Sequence, residues 1–508
     1  MEAAIFVALV LWTLVPLFIL LGGRGVFNGV YGIDVADLMQ YMGFIREAGE
    51  HVLIANPFNV APDPHLFLQP TFALSGFAWS LGASIQASLL LWVPITLVAL
   101  FLGFTAYVRR QLGRDTLACA MALLIAFFYV TPAMPLASWL HASQYLQFGT
   151  KVVGLEMFPG GYLSGGGSAI GVAMMPLFLL SIERLLTADS RMDRTTRRWY
   201  VAGAGAAGML AMWIHPWQGL TLLVIVAALV AWGRFDRRYL RLAVPFALTA
   251  APLAYYFALS HTHSSWMVIS RPNNYSHFGL WLFLGMIPLA AALPGFPGRN
   301  LDLQQRIVRI WPIAALIVYL TMNRTWFYHA FDGLSLPLAI LAVIGWRRLR
   351  IPRVVGAGAA LAVTIPGMVW FVQQLVQTQP SHFFRPGEAQ ALAFIDAFPR
   401  SGPVLAPLQP LGQAVPGFTG RQTFVGHYYW TPDYYRRVPL AEALFDGKLS
   451  RSAAISLVRS SRAAFLASDC QPRRANLTPL LGKLITHVWH FGCATVYEVA
   501  PSSASAAT

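Results

Sequence analysis

Residues 3–50 read AAIFVALVLWTLVPLFILLGGRGVFNGVYGIDVADLMQYMGFIREAGE. The run from Ala3 to Leu21 carries no charge, and at 1.5 Å per residue it is long enough to cross about 30 Å of hydrocarbon as a helix. No basic stretch precedes it, Glu2 is the single early charge, and no small-residue cleavage site stands out before Asn28, so a retained first helix is expected. After it the chain turns polar at once, and Leu38, Tyr41, Met42 and Ile45 recur at helical spacing opposite Asp37, Gln40 and Glu47. That pattern suits a helix lying along a membrane surface.

The remainder of the chain repeats the first theme. Of 508 residues, 56% are apolar and 11% charged, against roughly a quarter charged in soluble domains. Mean hydropathy is +0.56. Apolar runs at residues 3–22, 86–107, 116–135, 166–182, 199–214, 217–232, 242–259, 279–294, 308–322, 334–346 and 354–373 predict about eleven spans. A net charge of +15 in a soluble chain would point to nucleic acid. Here the cations lie in short loops between apolar runs, which excludes that class and sets topology instead.

One set of alternate loops holds Arg109, Arg110, Arg114, Arg184, Arg191, Arg194, Arg197, Arg198, Arg234, Arg237, Arg238, Arg241, Arg299, Arg306, Arg309, Arg347, Arg348, Arg350 and Arg353. The other set, before the C-terminal region, holds Arg24, Arg46, Lys151, Arg271 and Arg324. The first set is therefore expected to be cytoplasmic, with the N-terminus inside and everything after residue 374 outside. The outer loops then carry nearly all the groups able to do chemistry: Asp34, Asp37, Asp63, His65, His141, Glu156, His215, His261, His263, Arg271, His277, Arg324, His329 and Asp332.

The expected architecture is an α-helical polytopic membrane domain over residues 1–373, with a long first outer loop (23–85) containing interfacial helices. A small extracytoplasmic α/β domain follows over 374–500, and 501–508 reads as a disordered tail. Within the first loop, residues 66–81 contain Pro70 and Gly76 and suit an interfacial or re-entrant piece. The glycine-rich stretch Phe158–Ser168 lacks the lysine and strand–helix context of a phosphate loop and reads as a connector. In the C-terminal region, Val404–Ala406, Thr423–Val425, Ala463–Ala467 and Ala494–Val499 are strand-like, and Gly387–Ala397 and Ser450–Ser460 helical. Cys470 and Cys493 are placed to pair if that region lies in an oxidising compartment, while Cys119 reads as a small buried apolar residue.

Asp34 stands where a helix N-terminus favours an anion, so it can be an N-cap or a base. Asp37, three residues on, projects from nearly the same face and could assist, or be a solvated first-turn acid. His215, between Trp213 and Trp217, suits either sugar or phosphate binding or an aromatic belt. His65 with Asp63 suits a cavity lining or a proline-stiffened turn, and Glu156 a sugar-binding acid or a partner of Lys151. Asp332 likewise suits a partner of Arg324. His261, His263 and His277 give a His-x-His without a third ligand at defined spacing, so no metal site and no cofactor are expected; a divalent metal has no support in the sequence.

One helix, then a long outer loop with acidic residues near its start and a surface helix, resembles the GT-C superfamily of membrane glycosyltransferases. The residues that carry the likeness are Asp34, Asp37, Tyr41 and Ile45-Arg46-Glu47-Ala48-Gly49, and in the tail Pro416–Arg421, Val425-Gly426-His427 and Thr431–Tyr434. A Trp-Trp-Asp motif is missing from the C-terminal region, which disfavours an oligosaccharyltransferase. The adjacent acidic pair common in the superfamily is missing too, which leaves the base open between Asp34 and Asp37. The resemblance implies an inverting transferase that moves a sugar from a polyprenyl-phosphate donor to an extracytoplasmic glycan, lipid or protein acceptor. On that reading Arg271 and Arg324, then His141 and Lys151, hold the donor phosphate, and His65, His215 and Glu156 line the substrate. The alternatives are a transporter or lipid flippase, which the near absence of ionisable residues inside the spans disfavours, and a non-catalytic glycan-binding membrane scaffold. The tyrosine-rich Gly426–Trp430 suits carbohydrate stacking in either the transferase or the scaffold.

Overall fold

In the computed structural model the opening apolar run forms helix α1 (Glu2–Leu21), and α2 (Val35–His51) and α3 (Pro70–Ser80) follow. Residues 1–142, 144, 167–187, 193–270, 280–322 and 326–501 are described. Among the described residues each of the eleven apolar segments overlaps helix, as at Trp92–Leu112, Ala169–Thr187, Ala243–Thr262, Leu303–Thr321 and Arg353–Thr378, while the segment 116–135 is interrupted between Phe128 and Ala133. Among the described residues, six helices are long and apolar enough to cross a membrane, and the pair Thr116–Phe128 and Ala133–Trp139, bent by 41°, makes a seventh if it is one span.

The segments that fall short do so for visible reasons. Arg194–Ile214 opens on Arg194, Arg197 and Arg198 and is dense in alanine and glycine, which lowers its apolarity. Pro216–Trp232 has 17 residues and Ser335–Arg348 has 14. Leu280–Met286 passes into a 3₁₀ stretch, Ile287–Gly295, opened by Pro288 and ended by Pro294.

The chain divides into two compact units. One comprises Met1–Pro16, Trp92–Thr262 and Ile269–Leu375; the other comprises Leu17–Leu91, His263–Val268 and Val376–Thr508. The first loop thus belongs to the same unit as the C-terminal region. The first unit is a helical assembly whose close approaches occur at small residues. A Cβ on Gly208 would fall 1.9 Å from Thr249 Oγ1, so the helices carrying these residues meet only because glycine stands there.

In the second unit α2 buries Leu38, Met42 and Ile45, as their spacing predicts, together with Met39, Phe44, Ala48 and Gln40, the last of which the spacing puts on the opposite, polar face. Gln69 starts α3 by accepting hydrogen bonds from the N–H groups of Thr71 and Phe72 at 2.6 and 3.1 Å. The two helices cross at Gly49 and Gly76, where a Cβ on Gly76 would lie 2.5 Å from the Gly49 nitrogen. Phe44, Phe67, Trp266 and Trp430 close the aromatic core beside them, with ring centroids 4.5–6.2 Å apart.

Strand β1 (Val26–Phe27) pairs antiparallel with β2 (Phe383–Phe384). A four-stranded sheet runs in the order β3-β4-β6-β5, from β3 (Val404–Leu405), β4 (Phe465–Ser468), β5 (Ile485–Phe491) and β6 (Ala494–Val499). β3 and β4 are parallel and the other pairs antiparallel. Leu405, Val425, Leu444, Phe445, Leu466 and Leu477 pack its core with the helices Tyr434–Phe445 and Arg451–Ser460. Cys470 and Cys493 are disulfide-bonded, and Cys119 is buried and free.

Candidate active site

The chain between α1 and α2 is tied down by the segment just before the C-terminal helices. Asn28 donates from its backbone to the His382 carbonyl at 3.0 Å and from its side chain to the Ser381 carbonyl at 2.9 Å. His382, fully buried, places Nε2 2.7 Å from the Gly32 carbonyl oxygen. These contacts and the β1–β2 pair fix the two residues that lead into Asp34.

Asp34 occupies the N-cap position of α2 and is exposed, yet its side chain makes no capping hydrogen bond. The capping role open to it in the sequence is therefore not taken by its carboxylate. Asp37, one turn on, has its Oδ1 2.9 Å from His427 Nε2. The His427 ring is 2% exposed, and its Nδ1 accepts the Tyr429 backbone N–H at 3.2 Å. Since Nδ1 is an acceptor there, the ring proton sits on Nε2 and is donated to Asp37. Thr431 Oγ1 accepts the N–H groups of Gly426 and His427 at 3.1 and 3.2 Å and so holds the loop that presents the imidazole.

Tyr428 lies beside His427, with ring centroids 4.4 Å apart. Burial, then the charge of Asp37, the Tyr429 phenol, Asp34 and Tyr41 push its hydroxyl well above the usual tyrosine range. It stays a neutral hydrogen-bond donor at any physiological pH. Two carboxylates, an imidazole and two phenols thus come together at the start of α2. Trp430, by contrast, is buried against Phe44 and Trp266, so of the segment Gly426–Trp430 the tryptophan is core and only the tyrosines can meet a ligand.

Further along α2, Glu47 Oε2 stands 3.3 Å from His65 Nε2, and the His51 and His65 rings are 4.0 Å apart. Burial, with smaller contributions from Glu50 and Asp63 against His51 and the Ala55 N–H, pushes the Glu47 carboxyl up to about 7. Glu47, His51 and His65 each offer a ligand atom within 4.8 Å of the others, so this group can accept a cation. Asp63 instead braces the loop: it accepts the Asn56 N–H at 3.0 Å and the Ser265 hydroxyl at 2.6 Å.

In the other unit, His215 is buried with Nδ1 3.1 Å from Asp332 Oδ2. His141 is exposed at the end of the short helix Ala133–Trp139, in a left-handed backbone conformation, φ 50°. Arg271, Arg324, Lys151, Glu156 and His277 lie outside the described residues, as does Phe158–Ser168 apart from its last two positions. His261 and His263 belong to neither of the groups of metal-ligand type found among the described residues. The partner that sequence reading misses is His427: the Gly426-His427-Tyr428-Tyr429 run is conspicuous, but nothing local ties it to Asp37, 390 positions earlier.

No family model and no curated protein matches the chain. Solved structures do. ArnT from Cupriavidus metallidurans, bound to undecaprenyl phosphate, aligns over 98% of this chain and 99% of its own, with a TM-score of 0.53 and 15% identity. Its apo structure gives 0.51 and 14%. The arabinofuranosyltransferase AftD from Mycobacteria aligns over 99% of this chain and 40% of its own, with a TM-score of 0.59 and 14% identity.

Proposed function

The chain has the fold of the GT-C membrane glycosyltransferases along nearly its whole length, and we propose that it is one in function. It takes a sugar from a polyprenyl-phosphate donor and passes it, with inversion, to an acceptor hydroxyl outside the cytoplasm. The undecaprenyl phosphate bound to ArnT supports the donor class. Cytoplasmic placement of the N-terminus and extracytoplasmic placement of the C-terminal region are supported by the arginine distribution and by the Cys470–Cys493 bond, which belongs to an oxidising compartment.

The observation that carries the reading is the pair of carboxylates at the start of α2, the exposed Asp34 and, one turn on, Asp37 held by His427. Asp34, the first acid of the outer loop and the residue at the N-cap position of α2, is assigned as the general base: it takes the acceptor hydroxyl's proton as that oxygen attacks the anomeric carbon and the lipid phosphate departs from the opposite face. Asp37, held by His427, orients the acceptor, and the Tyr428 hydroxyl donates to a sugar oxygen. Arg271 and Arg324, with Lys151 and His141, are assigned to the departing phosphate, whose growing charge needs cations.

The test is transfer of labelled sugar from polyprenyl-phosphate donors by the full-length protein in proteoliposomes. Wild-type protein is expected to transfer and Asp34→Asn to fail while inserting normally. Full transfer by both Asp34→Asn and Asp37→Asn would remove the base from this place. Movement of intact lipid or solute without sugar transfer would favour the transporter.

A further inference from the structure

The end of α2 opposite Asp34 carries a second cluster, distinct from the groups assigned to transfer. Glu47 and His51 stand four residues apart on the helix and so share one face. His65 returns to that face from the loop beyond, with Nε2 3.3 Å from Glu47 Oε2 and its ring 4.0 Å from that of His51. One ligand atom from each residue lies within 4.8 Å of the other two. We propose that Glu47, His51 and His65 bind one divalent transition-metal ion of the zinc class, which clamps the end of α2 to the loop that follows it.

The contact between Glu47 and His65 is not a hydrogen bond. Glu47 Oε2 is buried and no donor is aligned on it, although His65 Nε2 is only 3.3 Å away. The Ala55 N–H faces the carboxyl, and among the described residues no hydrogen bond reaches a ring nitrogen of His51 or His65. A buried oxygen and two imidazoles therefore converge without satisfying one another. Ligand atoms held about 2.0–2.2 Å from a tetrahedral ion stand roughly 3.3–3.6 Å apart, and the Glu47–His65 contact already meets that spacing. His51, exposed at the helix end, has room to close the remaining distance by turning about its side-chain bonds. Two imidazoles with one carboxylate are the donor set zinc takes in open, three-ligand sites, whereas calcium and magnesium need more oxygen atoms than this group offers. Both rings reach solvent, so water completes the coordination.

The surroundings favour a cation and hold the ligands in place. Glu50 and Asp63 add negative charge near Glu47. Each is already committed: Glu50 accepts from Arg46 at 3.0 Å, and Asp63 accepts the Asn56 N–H at 3.0 Å and the Ser265 hydroxyl at 2.6 Å. Arg46 is directed at Glu50 and Asp396, so Glu47 is the carboxylate left to face the rings. Val52, at φ 66°, reverses the chain directly after His51. Ile54 and Phe67 then pair across the loop, the Ile54 N–H reaching the Phe67 carbonyl at 2.8 Å and the Phe67 N–H the Ile54 carbonyl at 3.1 Å. Phe67 stacks on Trp266 with ring centroids 4.5 Å apart. His65 thus sits between an anchored Asp63 and an anchored Phe67, and it faces α2 at a fixed distance. Outer contacts of this kind set ligand orientation in metal sites.

Full-length protein without a polyhistidine tag, purified in detergent and stripped with a chelator, is titrated with Zn²⁺ and with Co²⁺, whose visible d–d bands report tetrahedral coordination. Wild-type protein is expected to give tetrahedral cobalt bands. His51→Ala and His65→Ala should each weaken binding by more than about 100-fold, since changes in outer contacts alone cost 10–100-fold. Both rings are exposed, so both variants should keep the wild-type size-exclusion profile. Repeating the comparison in a His329→Gln background takes the His215, His329 and Asp332 group out of it. Carbethoxylation of histidines, read by mass spectrometry, locates the ion in the unaltered chain: Zn²⁺ should protect His51 and His65 and leave the exposed His487 and His490 reactive. Metal uptake unchanged by either substitution, or equal labelling of His51 and His65 with and without Zn²⁺, overturns the site. Neither readout depends on sugar transfer.

Discussion

His427 donates its Nε2 proton to Asp37 Oδ1 across 2.9 Å, and the Tyr429 N–H on Nδ1 prevents the ring from reversing that bond. If this contact positions Asp37, removing it should lower turnover without abolishing it. Hydrogen bonds to charged groups contribute about 1.5–3 kcal/mol, so His427→Ala should reduce kcat roughly 10–100-fold while the acceptor KM moves little. His427→Gln keeps an N–H donor and should recover most of the loss. Equal loss in both variants would mean that the imidazole serves the fold alone.

For Asp34 activity and stability should part company. General-base catalysis contributes about 10²–10⁴-fold, so Asp34→Asn should lose that much turnover. Asparagine keeps the size and one carbonyl oxygen of the side chain at an exposed position, so thermal unfolding should shift by no more than about 0.5 kcal/mol. Loss of about 1 kcal/mol with activity retained would make Asp34 a cap after all.

These two residues also mark where sequence reading succeeds and stops. The apolar spacing of Leu38, Met42 and Ile45 predicts the buried stripe of α2, and Asp34 and Asp37 follow from their place at its start. Tyr41, expected on the same stripe, is only half-buried. Long apolar runs are legible because a membrane crossing is a local property. Pairings are not: Asp37 meets His427, and His215 meets Asp332, only through the topology. Strand β5 was equally hard to see. ITHVWHF lies at the edge of its sheet and is exposed at Thr486, His487 and His490, so its faces do not alternate cleanly. Glu47–His51–His65 joins a helical i, i+4 pair to a residue beyond a loop, so only its first half has a sequence signature.

Glu47 makes stability depend on pH. Its carboxyl sits at about 7 in the folded chain against 4.5 as its ordinary value, so the folded state holds the proton longer than the unfolded state. The stabilising contribution is fully present below about pH 4.5 and is lost as pH rises to 7. At 1.36 kcal/mol per pH unit the loss is on the order of 3 kcal/mol. Thermal unfolding of chelator-treated protein should show this slope, and Glu47→Gln should flatten it. A variant that keeps the wild-type slope would place the titration on other groups.

Arg474 is the most consequential single cation of the C-terminal sheet region. Its side chain is 5% exposed and grips Asp469 through two bonds, Nε to Oδ1 at 2.7 Å and Nη2 to Oδ2 at 2.8 Å. Nη1 reaches Asp446 at 2.7 Å and Glu442 at 2.8 Å. Asp446 keeps Lys448 and Arg473 if Arg474 is removed, but Asp469, 0% exposed, keeps only the Gln471 N–H among the described residues. A buried carboxylate stripped of its cation costs about 3–5 kcal/mol, so Arg474→Met should lower the unfolding temperature sharply. The penalty belongs to the abandoned charge rather than to the lost pair, so adding Asp469→Leu should recover part of it, a coupling that a double-mutant cycle measures directly. Because Cys470 follows Asp469 and is bonded to Cys493, Arg474→Met should also speed reduction of that disulfide. Additive losses in the double variant, with reduction unchanged, would show that Asp469 does not depend on Arg474.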